Sequence, residues 1–152
     1  MIKGMNHVAA SVSNLEKSLG FYRDLLRMEV VVLDTFEGEK YEMILGLKGA
    51  RGKVALLRLG EMQIELFEFD HPRPKPNDPC RPVCDHGITH FCLEVKDIHG
   101  EYSRLKAAGV TFHCAPQDFF GTAIATYGRD PDGNVFEMLE MLEVDAAIQN
   151  GH

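Results

Sequence analysis

The stretch GMNHVAASV, residues 4–12, determines how the rest of the sequence is interpreted, because a similar stretch returns as GITHFCLEV at residues 87–95. In both copies a glycine is followed three residues later by a histidine, His7 or His90, and then by an apolar run of the kind that forms a buried strand. One histidine in a strand is usually a structural residue. Two histidines at the same place in two similar segments indicate a duplicated site.

The repeat extends beyond these two strands. With a shift of 83 residues, Asn14 (or Ser13 before it) and Asp97 can each cap a helix after the strand. Amphipathic helices are predicted over residues 13–27 and 97–109, the second closed by Gly109. With a shift of 72 residues, MQIELFEF at 62–69 matches NVFEMLEM at 134–141. Each copy is therefore predicted to fold as a strand, a helix and further strands.

The predicted fold class is α+β, with two tandem modules that share one compact domain. The first module spans residues 1–69, a proline-rich linker or lid spans 70–86, the second module spans 87–143, and a peripheral tail spans 144–152. Two or three strands with glycine-rich turns are predicted between residues 36 and 69. In the second module strands are predicted at 110–114, 122–129 and 134–142, the last after the turn Pro131-Asp132-Gly133.

Composition excludes several classes of function. The 152 residues carry a net charge of −7 with scattered basic residues, so we expect no binding to nucleic acid. No apolar run has the length of a membrane helix and the N-terminus lacks a signal-peptide pattern, so the cytoplasm is the expected compartment. Among the four cysteines, Cys80 and Cys84 lack a second pair to form a zinc site, and Cys92 is predicted to be a core thiol.

The repeat selects four residues that could bind a metal: His7, Glu65, His90 and Glu137. Side chains alternate along a strand, so Glu65 and Glu68 should point to opposite faces, as should Glu137 and Glu140. Two imidazoles and two carboxylates suit one divalent ion such as Zn, Ni, Co, Mn or Fe. The alternative is that both glutamates lie on a solvated sheet face while the histidines are merely buried.

The chain resembles the vicinal oxygen chelate superfamily, which includes glyoxalase I, methylmalonyl-CoA epimerase, extradiol dioxygenases, and fosfomycin- and bleomycin-resistance proteins. The matching segments are NHVAASVSNLEKSLGFYRDLL, IELF, GITHFCLEVKDI, LKAAGV and DPDGNVFEMLE. The resemblance implies two β-α-β-β-β modules, each with a curved mixed sheet that forms half of a metal-binding funnel.

This resemblance also implies an activity. Glyoxalase I-like members carry His, Glu, His and Glu at these four places, which implies a lyase or isomerase that acts on a small α-hydroxycarbonyl or thiol adduct through a metal-stabilised enediolate. By analogy, Glu137 is the general base and Glu65 is the second carboxylate ligand or a proton carrier. Methylmalonyl-CoA epimerase has glutamine in place of Glu65, and this difference argues against an epimerase activity for the chain.

Two other activities stay open. An extradiol dioxygenase would need only His7, His90 and Glu137 on Fe(II), and a bleomycin-resistance-like protein would bind a small molecule without catalysis. The resemblance further implies a homodimer, with the metal site within one chain or shared between two. Glyoxalase I binds the glutathione carboxylates through basic and polar residues, for which Arg23, Arg58 and Arg129 are open candidates.

Overall fold

A computed structural model describes residues 1–143 of the chain, so the predicted tail at 144–152 lies outside the described residues. Residue contacts divide the chain into two compact units, residues 1–77 and the residues from Asp78 onward. The division falls inside the proline-rich segment, for which the linker boundaries and a role as a lid stay predictions. No helix in the described range is both long enough and apolar enough to span a membrane.

The first unit contains a sheet of four strands. Its elements in chain order are β1 (Val8–Ser11), α1 (Leu15–Leu19) continued by a π-helical segment (Gly20–Leu25), β2 (Glu29–Phe36), α2 (Glu39–Leu45), β3 (Arg51–Leu59) and β4 (Met62–His71). The strand order is β1-β4-β3-β2, with β1 parallel to β4 and the other pairs antiparallel.

The second unit repeats this plan with five strands. Its elements are β5 (Phe91–Glu94), α3 (Ile98–Ala107), β6 (Thr111–Phe112), β7 (Gln117–Phe119), β8 (Ala123–Arg129) and β9 (Val135–Met141). The order is β5-β9-β8-β6, β7 also pairs with β8, and β5 is parallel to β9. The predicted α+β class with mixed sheets is therefore confirmed, although β7 was not predicted.

The predicted helix caps are confirmed. The Asn14 side chain accepts a hydrogen bond from the backbone N–H of Lys17, and the Asp97 side chain accepts one from Gly100, so each helix has a side-chain acceptor for one of its unpaired N-terminal amides. Gly109 has a φ of +91° just beyond the end of α3, which fits a C-terminal glycine.

The helix α2 corrects the prediction that residues 36–69 contain only strands and turns. The predicted turns were glycine-rich, but Gly46, at a φ of +65°, ends a helix by donating its N–H to the carbonyl of Glu42. The residues between Gly38 and Gly46 have good helix propensity, which favours this outcome. The strand β2 lies before that stretch and was missed. Leu45 attaches α2 to the sheet by packing on the cluster around Phe36.

In both units a helix covers one sheet face. The helix α1 packs on β3 and β4, and α3 packs on β9. The buried apolar residues of these elements include Leu15, Leu19, Leu57, Ile64 and Leu66 in the first unit and Ile98, Leu105, Phe136 and Met138 in the second. By strand alternation, Glu65 and Glu137 lie on the faces opposite α1 and α3.

The end of the proline-rich segment is attached to the second unit by Arg129. Its guanidinium donates to the carbonyl of Gly133 at 2.8 Å and to that of Arg81 at 2.8 Å. Gly133 has a φ of +83°, and a Cβ there would lie 2.5 Å from the Cα of Pro79. The β8–β9 turn and the segment around residues 79–81 therefore pack closely, and this contact requires glycine.

Candidate metal centre

The first unit brings together His7 and Glu65. Ala9 of β1 is the register partner of Glu65 in β4, and His7 lies two residues before Ala9 and immediately before the strand. The Nε2 atom of His7 is 3.4 Å from the Oε2 atom of Glu65, with the two side chains 39% and 25% exposed. The pair is therefore open to solvent and to a ligand.

The second unit brings together His90 and Glu137 in the same way. Cys92 of β5 is the register partner of Glu137 in β9, and His90 lies just before β5. The Nε2 atom of His90 is 3.1 Å from the Oε2 atom of Glu137, with the side chains 25% and 17% exposed. The sequence repeat is thus matched by a geometric repeat of histidine–glutamate pairs.

The residue before each histidine contacts its other ring nitrogen. The Oδ1 atom of Asn6 is 2.8 Å from Nδ1 of His7, and the hydroxyl of Thr89 is 2.9 Å from Nδ1 of His90. In both units the imidazole is held through Nδ1, so Nε2 is directed at the glutamate. Sequence reasoning missed Asn6 and Thr89, although the shift of 83 residues places them at equivalent positions.

The donor geometry of each pair fits a bound ion. Two ligands with bonds of about 2.1 Å lie roughly 3.0 Å apart at right angles and about 3.4 Å apart in a tetrahedral site, close to the 3.1 and 3.4 Å separations in the two pairs. Among residues 1–143, however, no three histidine, cysteine, aspartate or glutamate side chains form a group that could hold a metal. Each unit thus offers half of the predicted four-ligand set.

The cross-strand neighbours of Glu65 are apolar. They are Ala9 and Leu56, while Gln63 and Phe67 flank Glu65 on the same face of β4. The ring of Phe67 packs edge-on against Phe36, with centroids 5.3 Å apart. The first pair therefore lies beside an aromatic cluster of Phe36, Phe67 and Phe69.

The cross-strand neighbours of Glu137 carry protons that can form hydrogen bonds. They are Cys92 and Tyr127, while Val135 and Leu139 flank Glu137 on the same face of β9. Partial burial, the charge of Glu137 and a hydrogen bond donated to its carboxylate raise the pKa of the Cys92 thiol to about 11. Burial, followed by the charge of Glu137, also raises the pKa of Tyr127. The prediction that Cys92 is a core thiol is wrong, because Cys92 is exposed and lies beside Glu137 on the site face of β5.

The imidazole of His90 is part of a row of three rings beside Glu137. The ring of Tyr127 lies 4.8 Å from that of His90 and 6.1 Å from that of His113, centroid to centroid. Burial, with a smaller effect from the charge of Arg129, lowers the pKa of His113. The ring row restricts how the His90 imidazole can tilt. Its members could not be selected by the repeat, because Leu56 stands in the first unit at the position of Tyr127.

The second glutamate of each final strand has a structural role on the opposite face. Glu68 accepts a hydrogen bond from the backbone N–H of Leu15 at 2.6 Å, where α1 begins. Glu140 accepts from the N–H groups of Asp97 and Ile98 at 3.0 and 2.9 Å, where α3 begins. The expectation that each final strand has glutamates on both faces is therefore met, and the sequence did not reveal that the outer pair caps the helices.

The three candidate arginines already have protein partners. Arg23 pairs with Asp24 at 2.7 Å and Arg58 pairs with Glu29 at 2.8 Å, and both pairs are exposed. Arg129 donates to two backbone carbonyls. These partners offer no support for a role of the three arginines in binding substrate carboxylates.

Comparison with known proteins identifies the family of the chain. Residues 4–138 match the model of the Glyoxalase/Bleomycin resistance protein/Dioxygenase superfamily. The chain is 28% identical over 139 residues to the uncharacterised protein YaeR of Escherichia coli, covering 91% of this chain and 97% of YaeR. It is 27% identical over 147 residues to a protein of Vibrio parahaemolyticus named "Probable lactoylglutathione lyase", covering 94% of each.

A solved structure supports the fold. A glyoxalase family protein from Bacillus cereus superposes with a TM-score of 0.87 at 22% identity, covering 94% of this chain and 97% of that chain. At this identity the similarity establishes the fold and not the reaction.

Proposed function

Because the chain belongs to the Glyoxalase/Bleomycin resistance protein/Dioxygenase superfamily, we propose that it is a metal-dependent, glyoxalase I-like lyase or isomerase. The observation that carries the proposal is the duplicated pair, in which Nε2 of His7 or His90 lies 3.4 or 3.1 Å from a carboxylate oxygen of Glu65 or Glu137. A binding protein that used the face only for shape would need neither pair.

The proposed ligands of one divalent ion are His7, Glu65, His90 and Glu137, with nickel, cobalt, zinc, manganese or iron as candidates. The chemistry that such an ion supplies when bound is polarisation of two neighbouring substrate oxygens. The proposed assembly is a homodimer, and the two pairs come either from one chain or from two.

The proposed substrate is a small α-hydroxycarbonyl compound, such as the adduct of a 2-oxoaldehyde with a thiol. Glu137 removes the proton from the carbon that bears the hydroxyl group and returns it to the adjacent carbon, so the reaction is an isomerisation that needs no oxidant or reductant. Glu137 is assigned as the base because its neighbours, Cys92 and Tyr127, are proton-bearing groups. The cross-strand neighbours of Glu65, Ala9 and Leu56, carry no such protons, and Glu65 is assigned as a metal ligand.

The thiol component of the adduct is left general. The arginines that could bind the glutathione carboxylates are paired with Asp24, with Glu29 and with backbone carbonyls. The proposal therefore does not depend on glutathione.

The test is metal analysis of the purified full chain, followed by reconstitution and assay with methylglyoxal–thiol adducts. We expect about one nickel, cobalt, zinc or manganese ion per site and turnover of the adduct. His7→Ala and His90→Ala should lose metal and activity, whereas His99→Ala, at an exposed position in α3, should retain both. Iron with oxygen uptake on a catechol would replace the proposal with a dioxygenase, and no metal binding would replace it with a binding protein.

Mixing His7→Ala with His90→Ala tests whether the ligands of one metal site come from one chain or from two. If each site combines pairs from two chains, a dimer of His7→Ala with His90→Ala contains one intact site, and activity should return. If each site lies within one chain, the mixture should stay inactive.

A further inference from the structure

Three apolar residues lie level with Glu65 across the first sheet. The strand register pairs Glu65 with Ala9 of β1 and with Leu56 of β3, and it pairs Leu56 with Val32 of β2. Residues that pair across neighbouring strands point to the same face of a sheet, so these three side chains share the face of the Glu65 carboxylate. The apolar shelf consists of Ala9, Leu56 and Val32.

The apolar shelf is open to solvent. Ala9 is exposed, Val32 is 43% exposed and Leu56 is half-buried. Leu57, which follows Leu56 on β3 and points to the helix-facing side, is buried. An uncovered row of apolar side chains beside a proposed metal ligand is a binding surface for an apolar group.

The shelf is bounded along the direction of the strands. On one side the ring of Phe67 packs against Phe36, and Leu45 of α2 packs on the same cluster. On the other side Gln63 of β4 pairs with Arg58 of β3, and both side chains are polar. Gln63 and Phe67 are four residues apart, which is roughly 13 Å along a strand. The space between them suits one ring or one branched alkyl group and not a long chain.

The equivalent row of the second unit has a different character. Cys92 and Tyr127 pair with Glu137, and the backbone N–H of His113 donates to the carbonyl of Tyr127 at 2.8 Å, which continues the row beyond β8. Each of these three side chains can form hydrogen bonds, whereas none on the shelf can. The shelf therefore belongs to the first unit alone and is not a product of the repeat.

We propose that the apolar shelf binds the carbon substituent of the substrate, so that the preferred 2-oxoaldehyde carries an aromatic or branched alkyl group where methylglyoxal carries a methyl group. The inference rests on the proposed function, in which Glu65 is a metal ligand. The substituent is bonded to one of the two carbons whose oxygens the metal polarises, so it is held close to the ligands. The thiol component fits the shelf poorly, because the small thiols of cells carry charged groups that an apolar surface would leave without hydrogen bonds.

The first test is kinetic and uses the metal-reconstituted full chain. Phenylglyoxal and methylglyoxal are each assayed as the adduct with 2-mercaptoethanol and as the adduct with the charged thiol 2-mercaptoethanesulfonate. We expect kcat/KM to be about tenfold or more higher for the phenyl adduct with both thiols, which is the scale of discrimination in an apolar pocket. A preference that follows the thiol and not the aldehyde would overturn the proposal.

Substitutions separate binding on the shelf from the intrinsic reactivity of the two adducts. Leu56→Ala should lower the phenyl-to-methyl ratio of kcat/KM by about tenfold. Val32→Thr, at an exposed position of the edge strand, should lower the same ratio, and it serves as the test if Leu56→Ala fails to fold. The matched control is Leu33→Thr, because Leu33 is 58% exposed on the same strand and points to the opposite face. An unchanged ratio in the shelf variants, or an equal loss in Leu33→Thr, would contradict the proposal.

Binding without turnover distinguishes this inference from the proposed function. Mandelate and lactate are 2-hydroxy acids that differ only in a phenyl or a methyl group, and each is titrated into the full chain in the presence of zinc. Methyl ¹H–¹³C NMR, assigned from the three variants, gives the dissociation constants and the residues affected. We expect mandelate to bind about tenfold or more tightly than lactate and to shift the signals of Leu56 and Val32 but not of Leu33.

The outcomes of the two experiments are independent. Tighter binding of mandelate at the shelf, without turnover of either adduct, would contradict the proposed function and support the shelf. Turnover of the adducts with equal binding of mandelate and lactate would contradict the shelf and leave the proposed function standing.

Discussion

The two sheets present the same histidine–glutamate pair between cross-strand neighbours of different character. Glu65 lies between Ala9 and Leu56, whereas Glu137 lies between Cys92 and Tyr127. The pairs match because β1 and β5 each run parallel to the last strand of their unit in an equivalent register. The comparison shows that an equivalent strand register places the histidine beside the glutamate in both units. The neighbouring side chains differ, and they can give the two glutamates different chemical roles.

The largest expected effect tests whether Glu137, and not Glu65, transfers the proton. Glu137→Gln should lower kcat by about 10²–10⁴-fold, since it removes the base. Glu65→Gln should lose less activity when metal is saturating, because an amide oxygen can still bind metal weakly. Steady-state kinetics with a fixed methylglyoxal–thiol adduct compares the two variants. If Glu65→Gln lost more activity than Glu137→Gln, Glu65 would be the base and Glu137 would act only as a metal ligand.

A second expected difference concerns the thiol of Cys92. With a pKa of about 11, Cys92 should react with iodoacetamide at pH 8 roughly 100-fold more slowly than a cysteine with the ordinary value near 8.5. Exposed Cys80 of the same chain is the internal reference, with peptide mass spectrometry as the measurement. Glu137→Gln should speed the reaction of Cys92, and Glu65→Gln should not. Equal rates at Cys92 and Cys80 would contradict the described environment.

A third prediction compares the helix-facing sides of the sheets. The pair Leu57 and Ile64 in the first unit corresponds to Gly128 and Phe136 in the second. A Cβ on Gly128 would lie 2.5 Å from Cζ of Phe136, so Gly128→Ala should destabilise the protein by about 1–3 kcal/mol through overpacking. Chemical denaturation measures the change. The double variant Gly128→Ala/Phe136→Leu should recover part of it, and no recovery would mean that the clash is not with Phe136.

The smallest expected effect concerns the glutamates that cap the helices. Hydrogen bonds from Ile98 and Asp97 lower the pKa of Glu140 from its ordinary value near 4.5. Its stabilising contribution is therefore complete above about pH 5 and is lost as the pH falls through the lowered folded-state value. Glu140→Gln should have a lower melting temperature than the wild type at pH 7, and this difference in melting temperature should shrink toward pH 3. A difference independent of pH would indicate that charge is not involved.

Much of the architecture could be predicted because local signals agree with the fold. Asn14, Asp97 and Gly109 are cap residues in both sequence and structure. The prediction failed for α2, where glycines at both ends are as typical of hairpin turns as of helix ends, and where Leu45 attaches the helix to the sheet only through tertiary packing.

For the site, strand alternation could select the faces of Glu65 and Glu137, because it depends only on sequence position. It could not reveal the exposure of Cys92, since whether a sheet face is covered depends on distant elements. The ring row of His90, Tyr127 and His113 was equally hidden, because its members come from three separate strands or strand ends. Convergence of the four predicted ligands on one ion stays a prediction.

The contacts of Arg129 shorten the stretch of chain that connects the two units. Because Arg129 binds the carbonyl of Arg81 and Pro79 packs on Gly133, the proline-rich segment is anchored from about residue 79 onward. Residues 72–78 connect this anchored part to the end of β4 at His71, and a stretch of this length spans at most about 23–25 Å when fully extended. A backbone break within residues 73–77 would leave every described strand and helix intact, so this short span is the natural place to open the chain for circular permutation or for production of the two units as separate polypeptides.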